Sequence, residues 1–368
     1  MKNVVHNNVR QIWHHLKNNV RFLRNKLAQT VPILLYHRVA KLATDPQLLS
    51  VLPENFATHL KTMRRIANPI SLQQLLYYLE NGNLPERSVV VTFDDGYIDN
   101  LHFAKPLLDR FDVPATVFVT TGMIGKTQEF WWDELERLLL LPNTLPEQLR
   151  LSLNGKLCQW NLWGVAQYTR ENFFMYKEWN VLQKEIPTAR QAIYKDLHTR
   201  LQNLPLLDIW AALKAIALQI NDGASVRETY RIMTEEELVA LSQNNLIEIG
   251  AHTVTHPVLG ALSREDQYKE LEQSKHRLEA ILNKPINTFA YPFGWRGIYT
   301  PETVSLVQKA GFELACANVP ELVWQIPVRQ GRNGLLCDRW QLPRILVHNW
   351  DEITFEHRLE RLLNGWII

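Results

Sequence analysis

The chain has 368 residues, 46% of them hydrophobic and 21% charged, and a formal net charge of +2. That is ample material for a buried core, and the near-balance of charge excludes the strongly basic surface expected of a nucleic-acid-binding protein. The three cysteines, Cys158, Cys316 and Cys337, lack C-x-x-C spacing, which argues against a disulfide framework or a cysteine-ligated metal.

Residues 1–30 carry apolar side chains at Val5, Val9, Ile12, Leu16, Val20, Leu23 and Leu27, with lysines and arginines between them and no acid before Asp45. This spacing predicts a basic amphipathic helix. Such a helix suits peripheral contact with an anionic membrane surface, or packing on the protein or a partner. No run reaches the ~18 apolar residues of a membrane span, and no signal-peptide core is visible. The expected location is therefore the cytoplasm or the inner face of a membrane.

The remainder, 31–368, reads as one α/β barrel interrupted by an insertion at 125–233. A buried strand at 32–36 ends in His37 and Arg38, and helical spacing follows at 56–66 and 71–79, the second capped by Ser71. The apolar run from Val89 to Phe93 delivers Asp94 and Asp95 to a glycine turn, and 115–119 reads as another strand. In the insertion the strand–helix alternation gives way to helical segments and six of the twelve tryptophans. Most of these rings are expected to fill a small core, while Trp131 and Trp132, nearest the preceding strand, are candidates for a cleft wall. Alternation resumes with a helix at 235–242, a strand at 247–250 and a long helix at 263–282. Strands near residues 290, 315 and 345 complete a set of seven. Strand–helix repetition predicts a parallel sheet, and a count near eight suggests a closed or nearly closed barrel with its site at the C-terminal strand ends.

Two adjacent carboxylates are tolerable if a cation sits between them or if they share a proton. His252 and His256, four apart after a strand, would present both imidazoles on one side if the chain turned helically there. With a carboxylate from the Asp94–Asp95 pair they supply two nitrogens and one oxygen, a set that leaves positions open for water and substrate. Zinc or another divalent transition metal suits these donors.

The motifs Thr92-Phe93-Asp94-Asp95-Gly96 and His252-Thr253-Val254-Thr255-His256 resemble the first two signatures of the polysaccharide deacetylases, carbohydrate-esterase family four, with the NodB-homology domain. Leu35-Tyr36-His37-Arg38-Val39, Ala290-Tyr291-Pro292-Phe293-Gly294 and Pro343-Arg344 are similar to its exopolysaccharide-linked branch. The resemblance covers about 31–124 and 234–360. It implies a distorted seven-stranded barrel and a metal-dependent removal of N-acetyl groups from the sugars of a polysaccharide or its precursor. Asp94 would be the base, with Asp95, His252 and His256 holding the metal. The turn at Tyr291 and Phe293 would meet the substrate and oxyanion, and His348 or His37 would serve as general acid.

One position departs from the family pattern, because Ala290 stands where an arginine usually orients the base. No counterpart of that arginine's aspartate partner is found either. Arg344 is the proposed substitute tether for Asp94, with an ordinary strand-end arginine as the alternative. Two other functions stay open: hydrolysis of a different acyl substrate, and non-catalytic carbohydrate binding.

Overall fold

In a computed structural model the described residues are 29–221, 226–325 and 338–367. The amphipathic helix expected at the N-terminus and Cys337 lie outside them. Gln29–Val31, however, is a strand paired antiparallel with Val323–Gln325, so that helix does not extend to residue 30. No helix among the described residues is long and apolar enough to cross a membrane.

All seven expected strands form and belong to one parallel sheet. They are β1 (Ile33–Tyr36), β2 (Ser88–Phe93), β3 (Ala115–Val119), β4 (Ile247–Ala251), β5 (Thr288–Ala290), β6 (Leu314–Cys316) and β7 (Ile345–Leu346). Their spatial order is β6-β5-β4-β3-β2-β1-β7, and the short Asn68–Pro69 segment adds to β2. A parallel bridge between Cys316 and Leu342, just ahead of β7, links the two ends of this order. The sheet is thus curled into a ring.

The twofold alternation of a strand decides what faces the middle of that ring. Val89, Val91 and Phe93 pack outward with Phe56, Leu60 and Met63 of α1 (Pro53–Ile66). Val90 packs on the other side with Phe118, Ala290, Leu314 and Cys316. Space on the inner side is short: a Cβ on Gly250 would lie 2.4 Å from Phe118 Cδ1 and 2.5 Å from Thr288 Oγ1. Only glycine leaves room there for the Phe118 ring and the Thr288 hydroxyl.

The remaining barrel helices follow the sequence reading. α2 (Leu72–Asn81) opens with a capping box on Ser71 and Gln74, and a π-helical turn precedes α3 (Lys105–Phe111). After the insertion come α8 (Glu235–Leu241), α9 (Arg264–Leu282, capped by Ser263), α10 (Pro301–Lys309) and α11 (Glu352–Leu363).

The insertion holds α4 (Trp131–Leu140), α5 (Arg170–Tyr176), α6 (Ala189–Leu201) and α7 (Leu206–Gln219), and it is not purely helical. Gln148–Leu153 and Lys156–Asn161 form an antiparallel hairpin. Its turn residues Asn154 and Gly155 both have positive φ, 52° and 72°, as a two-residue primed turn demands. Asn-Gly between alternating residues was the overlooked signal. The insertion has its own apolar cluster, in which Trp131, Trp132, Leu135, Tyr194, Leu213 and Ile216 are buried.

Candidate metal and acyl-transfer site

Inner-facing strand parity brings the site together. Residues 90, 92 and 94 share one side of β2, and 250 and 252 share one side of β4, so the first residue past each strand continues the inner row. Asp94 and His252 therefore meet over the middle of the sheet, with His252 Nε2 3.9 Å from Asp94 Oδ2. Arg344 lies immediately before β7 rather than at a C-terminal strand end. From there its guanidinium reaches along the interior, fully buried, to grip Asp94 at both oxygens, Nη1 to Oδ1 at 2.6 Å and Nη2 to Oδ2 at 2.7 Å.

Asp95, His252 and His256 offer one donor atom each within 4.8 Å of one another, and all three are buried. Asp95 Oδ1 is 3.6 Å from His252 Nε2 and 3.5 Å from His256 Nε2. Those gaps are too long for hydrogen bonds. They match the edge of a tetrahedron around an ion bound at ~2.1 Å, which is about 3.4 Å. His252 Nδ1 lies 2.8 Å from the carbonyl of Ala290. A carbonyl can only accept, so Nδ1 carries the proton and neutral His252 turns the lone pair of Nε2 toward Asp95. The residues present fit a divalent cation.

No helical turn joins the two histidines. Thr253 and His256 take left-handed conformations, φ 64° and 58°, as do Asp95 at 75° and Phe293 at 59°. A β-branched residue at positive φ is strained, and here it is held on several sides. The Thr253 hydroxyl accepts from the His256 amide at 3.0 Å, and the Thr253 carbonyl accepts from the Thr121 amide at 3.0 Å. Glu270 on α9 closes the loop by accepting from the amides of Val254 and Thr255 and from the Thr255 hydroxyl. Glu270 was absent from the sequence reading, because nothing local links it to a loop fifteen residues away.

The electrostatics divide the two acids. Burial alone would raise the Asp94 pKa, but the Arg344 charge, helped by His252, holds it at about 2. Asp95 is pushed well above the carboxylate range by burial and then by the Asp94 and Asp133 charges. His252 and His256 are shifted down, chiefly by burial. One acid is neutralised by arginine, while the other, facing two neutral imidazoles, favours a cation.

These residues floor a cleft of about 200 Å³. His37, one residue beyond β1, and Leu346 of β7 also line it, as do Trp132 and Phe293. Trp132 and Phe293 pack edge-on against His256 with ring centroids at 4.9 and 4.7 Å. Trp132 Nε1 donates to the Tyr97 hydroxyl at 2.9 Å, and that hydroxyl donates to Asp133 at 2.6 Å. The insertion and neighbouring loops add Gln47, His198 and Gln202, with Trp295 and Asn318 at the Phe293 turn. None of these five stood out in the sequence, because nothing in their local spacing brings them together.

Three expected placements are corrected. Tyr291 continues the outer row of β5 with Phe289, is fully buried, stacks on Tyr299 at 4.1 Å and donates to the Trp340 carbonyl, so it does not face the cleft. Trp131 points into the insertion core, 4% exposed, against His198. His348, half-buried, lies outside the cleft lining with its ring against Trp350 at 5.9 Å.

The polysaccharide deacetylase family model matches residues 81–145 and 207–315, which take in both ends of the insertion. A poly-beta-1,6-N-acetyl-D-glucosamine N-deacetylase of Staphylococcus aureus is 31% identical over 106 residues, 25% of this chain and 37% of that relative. The chain thus aligns with well under two thirds of the curated relative's length. Among solved structures, IcaB of Ammonifex degensii superposes with a TM-score of 0.53 at 16% identity, covering 91% of this chain and 97% of that one. The Streptococcus pyogenes deacetylase PplD, in complex with acetate, gives 0.51 at 18% identity, covering 89% and 97%. At such identities the superpositions establish the fold, and the family match supplies the kinship: the chain carries a polysaccharide deacetylase domain.

Proposed function

We propose that the chain is a metal-dependent deacetylase that hydrolyses the N-acetyl groups of acetamido sugars in a polysaccharide or its precursor. One observation carries the reading: a single cleft holds a three-donor cation site beside a carboxylate kept ionised by a buried arginine. The named activity of the staphylococcal relative supports an N-acetylglucosamine polymer as the substrate class.

Asp95, His252 and His256 would hold the ion, and zinc suits two imidazoles and a carboxylate. When bound, a divalent cation supplies Lewis acidity, polarising the acetyl carbonyl and making a water more acidic. Asp94, locked by Arg344, takes the proton of the attacking water as its oxygen bonds to the acetyl carbon. The backbone N–H of Phe293, a residue of the cleft lining, is assigned to the developing oxyanion. The carbon–nitrogen bond then breaks, acetate remains, and the amine leaves with the proton that Asp94 took from the water, passed on through His37, the more basic of the two groups.

His37 takes this role over His348 because it lines the cleft with Asp94. Burial brings its pKa down to about 4 while the Asp94 charge opposes the shift. His37 therefore rests as a neutral imidazole and carries a proton only after Asp94 has taken one from the water. Residues 1–28 are assigned peripheral membrane contact on the strength of their basic apolar stripe, and deleting them should reduce co-sedimentation with anionic vesicles.

The test is acetate release from N-acetylglucosamine oligomers. Turnover should vanish on treatment with a chelator and return with added zinc, and turnover indifferent to metal removal would sink the reading.

A further inference from the structure

Two cavities meet at the His256 loop. Beside the cleft lies a second cavity of about 630 Å³, between residues 202–209 of the insertion and 255–273 of the barrel, and Gln202 and His256 line both. A substrate whose acetyl group sits over the cation site therefore has a neighbouring space for whatever else it carries.

The second cavity is walled by Leu204, Leu206 and Leu207 on one side and by Pro257, Val258 and Leu262 on the other. Its acidic and basic groups are already engaged. Glu270 accepts from the Val254 and Thr255 amides, and Lys269 pairs with Glu265 at 2.7 Å. The tryptophan in the lining, Trp131, is 4% exposed and packed against Trp132 and His198, so it offers no free face for a sugar ring. Leu207 is 84% exposed at the rim. A concave apolar wall ending in an exposed leucine favours a hydrocarbon occupant over a hydroxylated one. Residues 202–206 fall outside the family-model match, and Leu207 lies at its edge.

Resting on the deacetylase reading, we propose that this cavity binds a hydrocarbon chain, alkyl or prenyl, attached to the acetamido sugar, so that the substrate is an amphiphilic glycan. The octyl and methyl β-glycosides of N-acetylglucosamine, compared by calorimetric binding and by acetate release, test it. The octyl glycoside should show a kcat/KM about tenfold above the methyl glycoside, the effect of burying roughly two methylene groups. Leu207→Asp and Val258→Asp, on opposite walls, should each erase that preference and leave the methyl glycoside within about twofold.

Equal binding and turnover of the two glycosides by the unaltered protein would overturn the proposal. So would equal losses on both glycosides in both variants, or an oligosaccharide preference that the variants erase while octyl and methyl stay equal. If neither glycoside releases acetate, the deacetylase reading fails. Tighter binding of the octyl glycoside, lost in both variants, would still uphold the hydrocarbon site.

Discussion

Arg344 holds both carboxylate oxygens of Asp94, at 2.6 and 2.7 Å, from a position 250 residues later in the chain. The same guanidinium reaches the Thr92 hydroxyl at 3.3 Å and the Ala317 carbonyl at 3.3 Å. Its contacts thus run from β2 to the loop after β6. This pairing stands where an arginine at position 290 would orient the base in relatives, and Ala290 instead contributes its carbonyl to His252.

Arg344→Ala should therefore lower kcat by roughly a hundredfold, within the range of general-base catalysis. Removing one partner of a buried pair should also cost about 3–5 kcal/mol of stability. Without the guanidinium the Asp94 pKa rises from about 2, so the acid limb of the pH–rate profile should move to higher pH. Arg344→Lys, a point charge without the bidentate fork, should fall between. Steady-state kinetics across pH, alongside urea melts, checks this, and activity within threefold of the parent for Arg344→Ala would remove the tether from the mechanism.

Zinc should raise the melting temperature of the protein, since binding to the folded state at a hundred times Kd stabilises by about 2.7 kcal/mol. Asp95→Ala, His252→Ala and His256→Ala should each abolish the shift, while Asp94→Asn should keep it and lose turnover. Thermal melts with and without metal separate ligand from base. A shift that survives in Asp95→Ala would displace that residue from the site.

His37→Ala should lower kcat by roughly a hundredfold, within the range of proton-transfer catalysis, whereas His348→Ala should stay near the parent. The ground is position: His37 lines the cleft and His348 does not. The reverse pattern would return the general acid to His348.

His59, outside the site, should make the fold acid-sensitive. Its ring is fully buried, stacked on Phe355 at 4.0 Å with Nε2 2.8 Å from the Trp350 carbonyl. Burial, the largest cause, lowers its pKa to about 4. Between about pH 6.5 and 4 the unfolded chain holds a proton that the folded one does not, so stability is complete above 6.5 and falls as the pH drops toward 4. The loss should be on the order of 2–3 kcal/mol. Denaturant melts at pH 7 and pH 5 measure it, and His59→Gln should flatten the dependence.

The seven barrel strands, the paired acids and the histidine pair were legible in the sequence because each is a local pattern. An apolar run fixes a strand, and a strand end in a parallel sheet fixes where its side chains gather. Strand parity would even have turned Tyr291 away from the cleft, since Ala290 takes the inner position, and Asn154-Gly155 announced the hairpin. What local pattern cannot carry is pairing between distant segments. That Arg344 reaches Asp94, that Glu270 clamps the His252–His256 loop through left-handed Thr253, and that Gln202 joins two cavities all follow from the closure of the sheet and the docking of the insertion. Tertiary packing decided these, because a buried charge or an unpaired amide must find its partner wherever the fold brings one within reach.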